Sequence, residues 1–416
     1  MPVPDIPVNK TRFIYTKLAV KSTIQSRPVA ANPGYGTRTD RQPAPWPVGS
    51  SQAIQLAVEN AVHAIDYPWT VRSKTKTGEG PEVFRLARAH STQDAVEALE
   101  RLLKVTVVGI DRSGVGSSHA VYVVDLEDGR RCVARFATHP EHRLAQEVWA
   151  SERCRQSGLP VPRLLAGALT SADSSPPFAV YEHLPGVAGD SMSLTTHERT
   201  AVLVQMGRIA ARIHRLAIPG TGALAPQGGG HAGTNTSWAE YVQATLERRI
   251  GQLSTVTLPG DLAVLIRSRF ETMRPVLEAA LPAGALTSAL VHGDFRLQNA
   301  LLTRESDNQI RVNAVLDFEM VLAGDGVVDL AWLDYQDGRC EADLVAILDG
   351  YGAAAWDRSL LRRLRLYQLS YALEHLWWME GFVDELGVAR VQQRIRAILA
   401  DDSTAMPVMP PRAERV

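Results

Sequence analysis

Apolar residues recur along this chain with two different periods, and the place where one gives way to the other divides it. From residue 91, Ala95, Val96, Leu99, Leu102 and Leu103 fall on one helical face, and Ser91 or Thr92 can cap that helix. Three strand-like segments follow: "VTVVGI" (105–110), "AVYVVDL" (120–126) and "RCVARFA" (131–137). The turn-rich stretch "DRSGVGSS" separates the first two, and "EDGR" is a hairpin signal before the third. A helix is expected over roughly 140–157, stopped by Pro160 and Pro162, and "PFAVYEHLPG" (177–186) reads as a further strand.

Beyond residue 186 the period lengthens. Val202, Met206, Ile209, Ile213 and Leu216 follow one another at alternating steps of four and three, which is a helix face. A Gly-rich loop (219–234), a helix from Trp238, two short strands (Ala300–Leu302 and Val312–Leu316) and long helices from about 340 to 400 complete the pattern. Strands first and helices after predict an α+β fold of two lobes, a small β-rich N-terminal lobe and a larger helical C-terminal lobe. The expected boundaries are an extension over 1–90, the N-lobe over 91–184, the C-lobe over 185–403 and a tail over 404–416. No internal repeat is evident.

Composition changes the picture mainly before residue 90. The first fifty residues hold eight of the 24 prolines, with seven basic residues against two acidic ones, so they read as poorly packed. "SSQAIQLAVENAVHAI" is a candidate helix capped by Ser50 or Ser51. Lys10, Lys17, Lys21, Lys74, Lys76 and Lys104 are all the lysines in the chain, and none follows Lys104. Residues 1–90 are therefore either a genuine extension or a mis-assigned translation start. The 416 residues have 45% apolar and 21% charged content and a net charge of −1, which is ordinary for a globular protein. That balance gives no reason to expect a nucleic-acid or membrane partner. "FIYTKLAV" is too short for a leader and is interrupted by Lys17, and no apolar run approaches a membrane span. Cys132, Cys154 and Cys340 lack ligand spacing, which suits a reducing cytoplasm.

The candidate chemistry lies in "LVHGDFRLQNALL" (290–302), where His292, Asp294 and Asn299 interrupt an apolar run just after Gly293. "VLDFE" then supplies Asp317 and Glu319, and "GDGVVDLAW" supplies Asp325 and Asp329. An amide oxygen and a carboxylate form a hard-oxygen pair suited to Mg²⁺ on nucleotide phosphates. The other aspartate is left to accept a proton from an attacking hydroxyl. Asp294 stands five residues before Asn299, the spacing between base and metal-binding Asn in protein-kinase-type phosphoryl transfer.

"LVHGDFRLQNALL…NAVLDFEMVLAGDGVVDLAWL" resembles the aminoglycoside phosphotransferase family, relatives of choline kinases and distant kin of protein kinases, over roughly 92–400. The resemblance implies a protein-kinase-like bilobal fold, ATP and Mg²⁺ as cofactors, Asp294 as catalytic base and Asn299 and Asp317 as metal ligands. It also implies that His292 orders the loop and that Asp325 and Asp329 buttress it. Gly326 stands where the family usually has proline. For the nucleotide, Gly114, Gly116, Ser117 and Ser118 would cover the phosphates, although His119 occupies the place of a third glycine. The cation of the third strand would be Arg135 rather than lysine, paired with Glu147, or with Glu152 as the alternative. Backbone groups from about Glu182 to Leu184 would meet adenine, and His214 is expected to be structural.

The expected acceptor is a small-molecule hydroxyl. "GTGALAPQGGGHAGTNTSWAEYV" and "LYQLSYALEHLWWMEGFVDE" resemble segments of hygromycin-type kinases, which implies an aminoglycoside or related antibiotic and resistance by inactivation. Asp334, Asp337, Glu374, Glu380, Asp384 and Glu385 are candidates to line a polycation site, and Trp377 and Trp378 either stack on a ring or pack. "HGDFRLQN" with "VLDFE" equally resembles phosphotransferase modules associated with acyl-CoA dehydrogenases, which implies a hydroxy acid or hydroxyacyl-CoA. A non-catalytic nucleotide-binding protein on the same fold is a third reading. The odd lysine usage has its own test: peptides from residues 1–60 in the natural protein would refute the mis-assigned start, and their consistent absence would support it.

Overall fold

The computed structural model describes residues 91–115, 119–138, 143–169, 176–228, 230–352, 358–381 and 384–400. The proposed extension, its candidate helix and the tail 404–416 lie outside the described residues. Helix α1 (Thr92–Leu103) starts where Ser91 and Asp94 each accept the other's backbone N–H, a capping box, and Lys104 closes it with φ of 56°. Ala95 and Leu99 bury its inner face.

That face covers a five-stranded antiparallel sheet, in the order β1 (Val107–Val115), β2 (His119–Leu126), β3 (Arg131–Ala137), β5 (Phe178–Glu182) and β4 (Leu164–Ala168). On β3, Cys132, Ala134 and Phe136 point into this core, where Phe136 stacks on Phe178 at 4.6 Å. Strand alternation therefore turns Arg135 to the opposite face, toward the rest of the molecule. Helix α2 (Leu144–Gln156) packs on that face through Leu144 and Val148 against Ala179 and Tyr181.

Two differences from expectation arise here. The stretch Asp111–Val115 continues β1 instead of turning, since Arg112 pairs with Tyr122 and Val115 with Ala120. Strand β4, "LLAGA", was not expected, because a half-buried edge rich in Ala and Gly shows little alternation.

The second lobe follows β6 (Val187–Ala188). Helix α3 (Thr196–Ile213) opens with a Thr195–Glu198 capping box and buries Val202, Met206, Ile209 and Ile213. A second sheet has the order β7 (Ala217–Pro219), β10 (Thr287–Val291), β13 (Leu322–Gly324), β8 (Thr221–Gln227) and β9 (Gly230–Asn235). A third joins β12 (Ile310–Val315), β11 (Ala300–Arg304) and β6. The expected Gly-rich loop over 219–234 is thus a β8–β9 hairpin; glycines pair through their backbone and leave no side-chain period to read.

Helices α4 (Trp238–Gln252), α5 (Gly260–Ala280), α6 (Val327–Asp337), α7 (Glu341–Tyr351), α8 (Arg358–Gly381) and α9 (Glu385–Ala400) complete the lobe. Sequence reading assigned neither α5 nor α6. In α6, eight residues from Val327 to Tyr335 are buried, so no polar face marks it as a helix. None of the described helices is long and apolar enough to cross a membrane.

Helices α3 and α7 touch backbone to backbone. A Cβ on Gly207 would lie 2.2 Å from the Ile347 carbonyl oxygen, and one on Gly350 would lie 2.1 Å from that of Val204. Gly207→Ala is therefore expected to force these helices apart and cost about 1–3 kcal/mol in urea unfolding, as overpacking does. An unchanged midpoint would contradict this packing.

Candidate active site

Strand β10 carries Leu290 and Val291 into the core, and the chain then bends sharply at Gly293, with φ of +84°. A Cβ there would meet the Met320 carbonyl oxygen at 2.2 Å, so both conformation and space require glycine. The bend is held from α6. Asp329, fully buried, accepts the backbone N–H of His292 at 2.8 Å, that of Gly293 at 2.9 Å and His214 Nε2 at 2.9 Å. Three donors offset what a buried carboxylate otherwise costs. His292 uses both ring nitrogens to fix the loop. Its Nε2–H donates to the Leu316 carbonyl at 2.9 Å, and its Nδ1 accepts the Asp294 N–H at 3.3 Å.

Asp294 is held on both carboxylate oxygens. The Trp332 indole N–H donates to Oδ1 at 2.5 Å, and the Asn299 amide donates to Oδ2 at 2.8 Å and to the Asp294 carbonyl at 2.8 Å. With its NH₂ committed, Asn299 has its amide oxygen left for a cation. Arg296 Nε lies 3.2 Å from Asp294 Oδ1, an ion pair in which this nitrogen donates no hydrogen bond.

A cluster of charges joins the lobes. Arg135 contacts Asp317 at 3.0 Å, Glu147 at 3.3 Å and His119 Nδ1 at 3.2 Å. His119 Nδ1 lies equally close, 3.2 Å, to Glu319, so it can accept from Arg135 or donate to Glu319. Burial and Arg135 hold His119 down at about 4, against the pull of Glu147 and Asp317. Burial alone would raise the Asp317 carboxyl, but Arg135, His119 and His292 together hold it below the usual carboxylate range. Glu147 goes the other way: burial raises it despite Arg135 and His119.

A sequence profile described as the phosphotransferase enzyme family matches residues 110–367, more than half of the chain and all of this geometry. The chain belongs to the phosphotransferase enzyme family. Acyl-CoA dehydrogenase family member 10 of Mus musculus is 27% identical over 254 residues, 57% of this chain and 22% of that protein. Acyl-CoA dehydrogenase family member 11 of Rattus norvegicus is 28% identical over 195 residues, 46% of this chain and 23% of that protein. The aligned stretch thus spans under a quarter of either relative. A thermostable mutant of aminoglycoside phosphotransferase APH(4)-Ia, crystallised with AMP-PNP and hygromycin B, superposes with a TM-score of 0.56. It is 19% identical and covers 75% of this chain and 99% of its own. A choline/ethanolamine kinase family protein from Mesorhizobium loti gives a TM-score of 0.52 at 18% identity, covering 74% and 95% respectively. At such identities the likeness is one of fold: α+β, bilobal and kinase-like.

The family's remaining expected positions fall as follows. Gly114 lies in β1 opposite Val121, while Gly116, Ser117 and Ser118 lie outside the described residues. The Glu182 N–H is taken by the Arg163 carbonyl at 3.0 Å, and Leu184 beyond it is half-buried. Glu152 pairs with Arg155 at 2.6 Å and not with Arg135. Gly326, the departure from proline, is required by His214, whose Nδ1 would lie 2.4 Å from any Cβ there. His214 itself bonds Asp329 and the Tyr351 hydroxyl. Asp325 accepts from Arg363 at 2.5 Å and from the Tyr367 hydroxyl at 2.7 Å.

The expected acidic wall does not assemble. Asp334 accepts from Gln368, Asp337 from the Leu297 N–H, Glu374 from Arg249, Glu380 from the Ser254 N–H and Asp384 from the Gly387 N–H; Glu385 is exposed. Trp377 lies under Arg249 at 4.7 Å, and Trp378 is buried. Sequence reading gave no role to His119, Glu319, Arg296 or Trp332. Arg296, Glu319 and Trp332 do stand inside the motifs, but without a spacing that marks them.

The donor set suits Mg²⁺: an amide oxygen from Asn299 and a carboxylate oxygen from Asp317, both hard. Among the described residues no group of three or more His, Cys, Asp or Glu side chains converges on one point, so such an ion would take its other ligands from phosphate and water.

His375 packs edge-on against Trp332 at 5.7 Å and accepts from the Gln336 amide at 2.8 Å. Burial, then Arg394 and Arg296, push it down to about 3. An unfolded chain takes up this proton near pH 6.5 and the folded one does not, so stability falls as pH drops below about 6.5, by up to about 1.4 kcal/mol per pH unit. His375→Gln keeps an acceptor for Gln336. Urea unfolding at pH 7.5 and 5.5 is expected to show a smaller acid loss in the variant; equal losses would contradict the assignment.

Proposed function

We propose that the protein transfers the γ-phosphoryl group of ATP to a hydroxyl of a small molecule. The observation that carries this reading is that two pairs, Asp294 with Asn299 and Arg135 with Asp317, are tied together through Leu316, whose N–H donates to the Asn299 carbonyl at 2.8 Å and whose carbonyl accepts from His292 at 2.9 Å. ATP would lie between the lobes with its phosphates beneath the β1–β2 hairpin and against Arg135, which Glu147 steadies. Arginine holds phosphate through a fork of donors where lysine offers a point charge. Mg²⁺ would be held by Asn299 and Asp317, and when bound it supplies charge neutralisation on the phosphate oxygens. Asp294, oriented by Trp332 and Asn299, would take the proton of the acceptor hydroxyl. The acceptor oxygen forms its bond to the γ-phosphorus as the bond to the β–γ bridging oxygen breaks, and ADP leaves. His292 would order the loop without exchanging protons. Three free cysteines support a reducing cytoplasmic setting.

An aminoglycoside or related antibiotic is the acceptor that the fold neighbours support, since one was crystallised with hygromycin B. A hydroxy acid or hydroxyacyl-CoA is the second reading, and Arg296 favours it. A guanidinium beside the proposed base, whose Nε donates no hydrogen bond, suits an acceptor that carries an anionic group. The sequence similarity to acyl-CoA dehydrogenase family members supports the same reading.

Mg²⁺-dependent ATP consumption is to be measured with a panel of aminoglycosides and hydroxy acids. Asp294→Ala is expected to lower turnover of the best acceptor about 10²–10⁴-fold, the usual contribution of a positioned general base. Equal turnover by both proteins would remove the mechanism and leave the non-catalytic reading.

A further inference from the structure

The Gly-rich segment 219–234 has no part in the proposed chemistry, yet it is a built element. Strands β8 and β9 pair from Thr221 opposite Asn235 to Gln227 opposite Gly230. They approach so closely that a Cβ on Gly233 would lie 2.3 Å from the Thr221 nitrogen. At the root of the hairpin, β8 pairs with β13, Ala223 opposite Leu322 and Gly222 opposite Ala323. Strand β13 continues the loop that carries Asp317 and Glu319. Toward the tip, the His231 ring lies against Trp149 of α2, with 4.7 Å between centroids. The hairpin thus runs from the C-lobe partner of Arg135, Asp317, to the helix that carries its N-lobe partner, Glu147.

Helix α2 meets the C-lobe along one face, where Gln146, Trp149 and Arg153 stand at steps of three and four. The buried Gln146 amide donates to the Val321 carbonyl at 2.9 Å. Arg153 donates to the Ala217 carbonyl of β7 at 3.1 Å and lies over the Trp149 ring at 5.9 Å. A different face of α2, Leu144 and Val148, packs on the N-lobe sheet. Glu147 directly follows Gln146, so any shift of α2 against the C-lobe moves its carboxylate relative to Asp317. The guanidinium of Arg135 bonds both. The buried Nδ1 of His231 makes no hydrogen bond among the described residues, so a phenyl ring can take its place against Trp149.

We propose that the β8–β9 hairpin is a positioning element for the phosphate grip. Through His231 and Trp149 it sets α2 against the loop after β12, and so fixes the span between Glu147 and Asp317 that Arg135 bridges. Both residues act through Glu147, which makes them positioning residues. The proposal rests on the phosphotransferase reading for what Arg135 grips, but not for the support of α2.

The test has two arms on the full chain. In the first, amide hydrogen exchange is followed without nucleotide in the wild type, His231→Ala and His231→Phe. Exchange in α2 is expected to quicken in His231→Ala and to return toward the wild-type rate in His231→Phe, while α3 keeps its protection in all three. Trp149→Ala removes the same contact from α2 should His231→Ala not fold. Equal protection of α2 in the wild type and a folded variant, or a loss spread equally over α2 and α3, overturns the proposal whatever the protein does with ATP. In the second arm, affinities for AMP-PNP and for adenosine are measured by calorimetry with Mg²⁺. His231→Ala is expected to weaken AMP-PNP binding about tenfold and leave adenosine unchanged, with His231→Phe close to the wild type. Unchanged AMP-PNP affinity in His231→Ala, or equal weakening of both compounds, overturns the link to the phosphate grip. A wild type that binds neither compound contradicts the phosphotransferase reading, and the first arm then decides by itself whether the hairpin positions α2.

Discussion

Arg135 is the cation on which the meeting of the lobes depends. Four groups from three elements, His119 of β2, Glu147 of α2, and Asp317 and Glu319 of the loop after β12, surround or adjoin it in a buried setting. Three of these are carboxylates, and burying them without a counter-charge would be prohibitive. Removing one member of such a group generally costs about 3–5 kcal/mol, because the others are left uncompensated. Strand alternation on β3 puts Arg135 there, since Cys132, Ala134 and Phe136 use the other face to build the N-lobe core. The same guanidinium is proposed to meet phosphate. In this structure it rests on Asp317, one of the two groups proposed to hold Mg²⁺.

The loop that would perform the chemistry is supported from the opposite side. Asp329 fixes the backbone at His292 and Gly293, and Trp332, one turn later on α6, fixes Asp294. One helix thus sets both the position of the loop and the direction of its acid. The half-buried Asp337, at the C-terminal end of α6, adds a third bond to the loop through the Leu297 N–H, and burial pushes its own carboxyl up to about 6. Asp325, at the N-terminal end, ties α6 to α8 through Arg363 and Tyr367. The orientation of Asp294, the proposed base, is in this way a property of helix packing well outside the loop.

Much of this was legible in the sequence where a period or a spacing carried it. Strand β3, helix α3 and the helix start at Ser91 or Thr92 follow from alternation, helical spacing and a capping residue. What escaped had no local signal. Helix α6 is buried on nearly every side and so lacks an amphipathic pattern, and the β8–β9 hairpin is built on glycines, whose contacts are backbone contacts. In the site, Asp294, Asn299 and Asp317 stood out by their spacing, and Arg135 and Glu147 through the family resemblance. His119, Glu319, Arg296 and Trp332 matter through tertiary contacts that no spacing encodes. His119 was seen only as a missing glycine. The acceptor carboxylates misled for the converse reason: an acid on a helix shows its charge in the sequence but not its partner, and Asp334, Glu374 and Glu380 already have theirs.

The central claim is that nucleotide phosphates and their cation lodge at the cluster joining the lobes. The direct measurement is the affinity for AMP-PNP, by calorimetry, with and without Mg²⁺, in the wild type and in Asp317→Asn. The account predicts that Mg²⁺ tightens binding in the wild type and that the substitution removes most of that dependence while binding without Mg²⁺ survives. Mg²⁺-independent binding in the wild type, or the same Mg²⁺ dependence in both proteins, would contradict it.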